Sequence, residues 1–237
     1  MIDKNVLNTS RALYYCLLSK FFIFQEDIEK RFYKTKEILA ILIMNPLEEN
    51  TKKSLENLLK IFNENKEALM IEEYDDIFFL PGSKTVKMTA SYYHEGVELG
   101  KKRIEVKNFL AKTKIRRNEK TYKEPEDSLG FLLVFMNELI ELIINGNSEY
   151  NNLQHCVFSE IINPFIDTFS KELFEHPKSN VYKDVAVILN AFIEFERLYF
   201  EVEKPKIVDV KNMPKFSRSK EEEILKNKAR KVADKKK

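Results

Sequence analysis

Apolar residues recur at spacings of three and four along most of this 237-residue chain, and this is the periodicity of amphipathic α-helices. Two stripes show it well, one around Leu13, Leu17 and Phe21 and a broader one from Leu129 to Ile143. The pattern predicts helices over about 8–22, 26–44, 50–62, 68–79, 94–111, 124–146, 148–173 and 179–199. The predicted fold class is therefore all-α, a bundle of roughly 8–10 helices.

Breaker residues and charge runs divide the chain. Pro125, followed by carboxylates, is expected to open the 124–146 helix, because a first turn has unpaired N–H groups and a positive dipole end. The polar stretch 112–123 has no apolar period and is predicted to be a hinge or a linker between two lobes. Residues 1–203 are expected to form one helical domain and 204–237 a basic, flexible tail.

Composition and targeting signals indicate a cytoplasmic protein. Five Gly and seven Pro are few for this length, which favours long helices. The two cysteines, Cys16 and Cys156, give no disulfide framework. The N-terminus lacks the pattern of an export signal. The longest apolar run, 131–136, is far shorter than the roughly 20 residues of a transmembrane helix, so no membrane span is predicted.

The net charge of +2 hides an asymmetry between the tail and the rest of the chain. Residues 204–237 contain 13 basic and 5 acidic residues, a net charge of +8, which leaves 27 basic and 33 acidic residues before them, a net charge of −6. An acidic body repels phosphate, so nucleic acid is not expected as its ligand. A cationic partner is expected instead.

The helical pattern is interrupted by an acidic, aromatic loop over 72–96. Glu72, Glu73, Asp75 and Asp76 surround Tyr74 and precede a break at Pro81-Gly82. Carboxylates hold arginine by charge-assisted hydrogen bonds while neighbouring apolar groups bury an aliphatic segment. The stretch predicts a peptide-binding surface, and a solvated helix face is the simpler alternative.

Candidate catalytic and metal-binding residues are weak. Gly96 and Gly100 precede a lysine, but the spacing and the missing strand do not fit a phosphate loop. His94, His155 and His176 are scattered along the chain, and the cysteines have no activating partners visible in the sequence. We therefore predict no catalytic residue, no metal site and no cofactor.

Three segments, in order, resemble the TorD/DmsD/NarJ family of redox-enzyme maturation chaperones. They are the Arg11-Ala12-Leu13-Tyr14 helix, the pair Glu73-Tyr74-Asp75-Asp76-Ile77-Phe78 and Ser91-Tyr92-Tyr93, and Asp127-Ser128-Leu129-Gly130 through Met136. Gln154 with Phe158 and Pro164-Phe165 is a weaker match. The resemblance covers about residues 5–200 and implies a TorD-like helical fold without catalytic activity.

The resemblance also implies the residues of a peptide-binding site. Peptide-binding roles carry over onto Tyr74, Ile77, Phe78, Ser91, Tyr93 and Asp127, and we add Glu73, Met88, Glu126 and Ser128 to the predicted site. The chain departs from the family pattern where Lys87-Met88-Thr89-Ala90 replaces Pro-Pro-Trp and where Ser128 replaces histidine. Ser128 does not titrate near neutral pH, so a role that needs the histidine is not carried over.

The implied function is that of a client-specific chaperone. It would bind the twin-arginine leader or the apo form of the catalytic subunit of a molybdenum or tungsten oxidoreductase, and delay export until the cofactor is inserted. A helical adaptor that acts through its basic tail on nucleic acid or membrane, and a helical enzyme, stay open as alternatives. A monomer and a domain-swapped dimer are both compatible with the sequence.

Overall fold

The computed structural model describes residues 4–25, 27–119 and 122–205, and within these ranges the chain is helical and without strands. The helices are α1 (Lys4–Phe22), α2 (Ile28–Arg31), α3 (Thr35–Met44), α4 (Glu49–Asn63), α5 (Glu67–Phe78), α6 (Ala90–Glu95), α7 (Lys101–Ala111), α8 (Leu129–Ile144), α9 (Tyr150–Cys156), α10 (Asn163–Glu175) and α11 (Val181–Phe200), with a π-helical segment over Val157–Ile162. The all-α prediction is confirmed.

The core is built around α1 and α8, which pack along each other. Both are long and carry broad apolar faces that the sequence pattern had predicted. They approach closely at Gly130, where a Cβ atom would lie 2.5 Å from the carbonyl oxygen of Phe22. Helices α10 and α4 pack on α11, and α3 packs on α4. Aromatic rings fill much of the interior, as the abundance of Phe suggests.

Two predicted helices are each divided in two. The one predicted over 26–44 breaks between α2 and α3, where Lys34 has a left-handed backbone with φ of 57°. The one predicted over 94–111 breaks between α6 and α7, where Gly96 ends α6 with φ of 69°. Positive φ suits glycine, so Gly96 could be recognised as a helix end, whereas Lys34 carries no such signal.

The helix predicted over 148–173 is observed as α9, the π-helical segment and α10, which follow one another without a break. Pro164 has no N–H to donate to the carbonyl of Glu160, four residues earlier, and the π-helical segment lies directly before it. Lys102 donates to that carbonyl at 3.2 Å. A cation from α7 thus bonds a carbonyl that has no N–H donor at Pro164.

Candidate functional site

Backbone hydrogen bonds join two of the predicted motifs. Thr89 and Ser128 form an antiparallel β-bridge. The N–H of Ala90 donates to the carbonyl of Asp127 at 2.9 Å, and the N–H of Leu129 donates to the carbonyl of Met88 at 2.8 Å. The segments around 88–91 and 126–129, well separated in sequence, are therefore one structural unit that fixes the starts of α6 and α8.

Asp127 and Ser128 serve these helix starts. The fully buried Asp127 carboxylate accepts the N–H of Ser91 through Oδ2 at 2.9 Å, while its Oδ1 is buried without a hydrogen-bond partner. Ser128 caps α8 by accepting the N–H of Phe131 at 3.4 Å. The prediction that α8 begins at 124 is wrong, because this cap places its start at Leu129. The sequence signal was ambiguous, because carboxylates just before an apolar run occur at the cap of a helix as well as in its first turn.

Glu126 and Ser91 connect this unit to α7. Glu126 accepts a hydrogen bond from Arg103 Nε at 2.6 Å and lies 3.6 Å from Arg117 Nε. Burial opposes ionisation of Glu126, but the Arg103 hydrogen bond and both guanidinium charges lower its pKa below the usual value. Ser91 Oγ accepts the N–H of Arg103 at 3.3 Å. The Glu126 carboxylate is thus already paired with arginine side chains of the same chain.

Glu73 caps α11. Its carboxylate accepts the backbone N–H groups of Asn180, Val181 and Tyr182 at 2.7, 2.9 and 2.7 Å. Ser179 and Asn180 stand at the predicted start of this helix, but the Asn180 side chain makes no capping hydrogen bond. A carboxylate from α5 fills that position because three unpaired N–H groups and the positive end of the helix dipole converge there.

Tyr74, Ile77 and Phe78 lie in the aromatic core. The Phe78 ring packs on Phe169, and the Tyr74 ring lies under the Arg31 guanidinium, 4.4 Å from its carbon. Ile77 has no exposed surface. These side chains hold α5 against the rest of the bundle.

Tyr93 is buried but hydrogen-bonds a residue that lines a surface pocket. Its ring stacks on Phe165 with centroids 5.4 Å apart, and its hydroxyl donates to Glu172 Oε2 at 2.8 Å. Burial and the Glu172 charge raise its pKa above the usual value. Glu172 in turn lines a pocket on the surface.

Nine of the ten predicted site residues are buried, and Met88 is half-buried. The structure brings their backbones and side chains into one connected region, but it does not open them to solvent as a groove. A direct contact between these side chains and a peptide stays a prediction that requires the region to open. In the conformation described here they position neighbouring surface elements.

The surface next to them holds a pocket of 360 Å³ between the loop after α5 and the end of α10. Its apolar part comes from Leu80 and Val86, and its acidic part from Glu172 and Glu175. His176 Nε2 lies 2.9 Å from the carbonyl of Lys84, which holds the loop against α10. No motif in the sequence predicts a role for residues 172–178, although His176-Pro177 indicates that a loop begins there.

The exposed side of α5 extends this surface. Glu72 and Asp75 are exposed, and the ring of Phe79 is 52% exposed just beyond them. Asp76 forms an ion pair of 3.5 Å with Lys178, which also lines the pocket. Acidic and large apolar side chains are thus interleaved from α5 into the pocket. We name this region the α5 surface, defined by Leu69, Glu72, Asp75, Asp76, Phe79, Leu80, Glu172 and Glu175.

Within the part of the chain that the structure describes, no group of three His, Cys, Asp or Glu side chains could hold a metal ion. In the same ranges no helix combines the length and the apolar character needed to cross a bilayer. Cys16 and Cys156 are free thiols. Burial raises the pKa of both thiols, which disfavours the reactive thiolate.

Over the described residues, the fold and the site define an all-α protein with an acidic and aromatic surface. The model of the family described as nitrate reductase delta subunit matches residues 44–171. This match spans more than half of the chain, and the chain belongs to that family, which is of the NarJ/TorD type. The resemblance inferred from the motifs is confirmed, and so is the prediction of a non-catalytic protein, because this family comprises chaperones and not catalysts.

Solved structures are also similar, among them the following one. It is a crystal structure of a protein from Archaeoglobus fulgidus described as a redox enzyme maturation protein, with a TM-score of 0.48 and 19% identity over 78% of this chain and 93% of that chain. No curated protein matches the chain.

Proposed function

We propose that this chain is a cytoplasmic, client-specific chaperone for the catalytic subunit of a molybdenum or tungsten oxidoreductase. It binds the twin-arginine leader, the apo subunit or both, and delays export until the cofactor is inserted. Family membership supports the role in maturation of a redox enzyme. The observation that carries the leader assignment is the interleaving of acidic and exposed apolar side chains on the α5 surface.

The chemistry of a twin-arginine leader fits this surface. A leader presents two arginines followed by an apolar segment, and arginine forms charge-assisted hydrogen bonds with carboxylates such as Glu72 and Asp75. Phe79 and Leu80 are exposed beside them and can bury part of the apolar segment. Full burial of one such side chain contributes roughly 1.5–3 kcal/mol, so a few contacts suffice for micromolar binding after the cost of association.

The buried motif residues hold parts of the α5 surface in position through hydrogen bonds. Tyr93 donates to Glu172 on the pocket wall. Glu73 ties α5 to the start of α11. Ile77 accepts, through its carbonyl, the N–H of Val86 in the loop at 3.0 Å. Substitution of Tyr93 or Glu73 is therefore expected to change leader affinity through the shape of the surface and not through lost contacts alone.

The domain assignment belongs to the same proposal. Residues 1–203 form the chaperone domain, and the tail 204–237, almost all of which lies outside the described residues, is not needed for leader binding. The proposed hinge at 112–123 would permit a domain-swapped dimer, and a monomer is the alternative. In the described part of this stretch, Thr113 and Arg116 hydrogen-bond the backbone at the end of α7.

Isothermal titration of the full chain with a synthetic leader peptide tests the assignment. Phe79→Ala and Asp75→Lys should each weaken binding about tenfold. Met44→Ala and Glu56→Lys, which change exposed residues on α3 and α4, are matched controls and should leave affinity unchanged. A peptide with lysines in place of the two arginines should bind more weakly, since lysine lacks the bidentate geometry. Equal affinity in all four variants would remove the α5 surface from the proposal.

A further inference from the structure

A second pocket, which shares no lining residue with the first, lies between α8 and the segment that follows α7. Its volume is 510 Å³. The buried side chains of Phe131 and Phe135 of α8 form the floor of this pocket. Val134 and Leu142 on the same helix also line it and are half-buried. The floor is thus apolar and offers space for one or two large side chains.

The rim of this pocket is mainly cationic. Lys114 and Arg116 are exposed at the rim. Arg116 is held in place because its Nη1 donates to the carbonyls of Leu110, Thr113 and Ile115 at 3.3, 2.7 and 2.7 Å. These bonds use a single nitrogen of the guanidinium group. The arginine therefore caps the negative end of α7 while its charge stays at the rim.

Two other charged groups at the rim contribute less to the binding of an acidic ligand. One is a cation whose charge is compensated within the chain, and the other is a carboxylate. Arg117 lies near Glu126 and Glu119, at 3.6 and 3.4 Å, so its charge is largely compensated within the chain. Glu138 is an exposed carboxylate of the lining. The rim cations that can act on a ligand are therefore Lys114 and Arg116.

The sequence around the pocket adds to the positive charge of its rim. Residues 101–123 contain 10 basic and 2 acidic residues, a net charge of +8, whereas the remainder of 1–203 contains 17 basic and 31 acidic residues, a net charge of −14. The pocket lies at the end of the basic stretch. Its field repels the basic tail 204–237 and a twin-arginine leader alike, and attracts an acidic partner.

We propose that this pocket binds a short acidic segment of a protein partner that carries large apolar side chains. The apolar groups fill the floor formed by Phe131, Val134 and Phe135, and carboxylates pair with Lys114 and Arg116 at the rim. The pairing sets specificity by charge, and burial of the apolar groups supplies most of the affinity. This proposal does not depend on the leader assignment, since it concerns other residues and the opposite charge.

The test uses the full chain and a fluorescein-labelled peptide of about 12 residues in which pairs of glutamates alternate with Leu and Phe. Fluorescence anisotropy should show binding that weakens with salt, and a peptide with lysine at every glutamate should not bind. Lys114→Glu should weaken binding about tenfold. Val134→Asp, which places a carboxylate in the pocket, should weaken it at least as much. Lys107→Glu makes the same charge change at an exposed position of α7 outside the pocket, and should have an effect of about twofold or less.

Three results would overturn the proposal. One is that Lys114→Glu, Val134→Asp and Lys107→Glu all bind the acidic peptide with the same affinity, while thermal unfolding shows that all three are folded. Another is sedimentation that reveals a dimer which Lys114→Glu dissociates, because the occupant would then be a second copy of this chain. The third is binding of phosphatidylglycerol vesicles or of RNA that displaces the peptide from the wild type. A loss of leader affinity in Phe79→Ala would be unaffected by any of these, so the two proposals fail separately.

Discussion

The carboxylate of Glu73 accepts a hydrogen bond from the backbone N–H of Tyr182 at 2.7 Å, across 109 residues of sequence. The same carboxylate accepts the N–H groups of the two preceding residues. A motif that the family resemblance assigns to peptide binding is therefore, in this conformation, the N-terminal cap of the last core helix. The relationship connects the α5 surface to the interior of the bundle.

Glu73→Gln should destabilise the protein by about 1–3 kcal/mol. The amide keeps one acceptor oxygen but loses the charge and the second acceptor, so buried N–H groups of α11 are left weakly paired. Urea unfolding followed by far-ultraviolet circular dichroism gives the free energy of unfolding. Glu72→Gln, one residue earlier and exposed, should change it by less than about 0.5 kcal/mol. Equal losses in the two variants would contradict the capping role.

The first helix shows a similar long-range dependence. Arg11 Nε and Nη2 donate to the two carboxylate oxygens of Glu196 at 2.5 and 2.7 Å, and Tyr15 donates to the same carboxylate at 2.7 Å. The side chains of the ion pair have no exposed surface. The Arg11 guanidinium also lies over the ring of Tyr199, 3.7 Å from its centroid.

Arg11→Met should cost about 3–5 kcal/mol, because it leaves the Glu196 carboxylate buried without its cation. Arg11→Met combined with Glu196→Leu should cost clearly less than the sum of the two single substitutions, since no uncompensated charge then stays in the interior. Guanidinium unfolding of the four proteins completes the double-mutant cycle. Additive losses would show that the two side chains act independently.

The sequence was informative where structure depends on local pattern. The apolar faces of α1, α8 and α11 follow from residue spacing. The end of α6 at Gly96 was not predicted, although glycine tolerates the positive φ found there. The motif Arg11-Ala12-Leu13-Tyr14 could be recognised on one helix. Its partner Glu196 could not, because nothing in a single sequence shows that α11 lies beside α1.

The same limit explains the error at α8. Local rules favour a helix start at Pro125, but Asp127 is drawn to Ser91 and Glu126 to Arg103, so the helix begins only at Leu129. Tertiary hydrogen bonds outweigh the local preference there. Hydrogen bonds between distant segments bring the residues of the predicted site together, and the burial of its carboxylates, Glu73, Glu126 and Asp127, could not be predicted from residue type.

Glu124 is placed to make stability depend on pH. Its Oε1 accepts the N–H of Phe24 at 3.0 Å and the hydroxyl of Tyr74 at 3.4 Å. Burial raises the pKa of Glu124 above its ordinary value of 4.5, although the Phe24 N–H and the charge of Arg31 act in the opposite direction. The folded protein therefore holds this proton to a higher pH than the unfolded chain does.

A raised pKa in the folded state means that the contribution of this group to stability is fully present below the unfolded pKa and is lost as pH rises through the folded pKa. Glu124→Gln keeps an acceptor for Phe24 without the charge. Its free energy of unfolding, relative to the wild type, should therefore be higher at about pH 8 than at about pH 4.5. Urea unfolding at the two pH values measures this difference. Tyr74→Phe removes a donor that favours the charged form, so in that variant the loss of stability between the two pH values should be larger than in the wild type. A difference between Glu124→Gln and the wild type that stays constant from one pH to the other would show that Glu124 does not carry the effect.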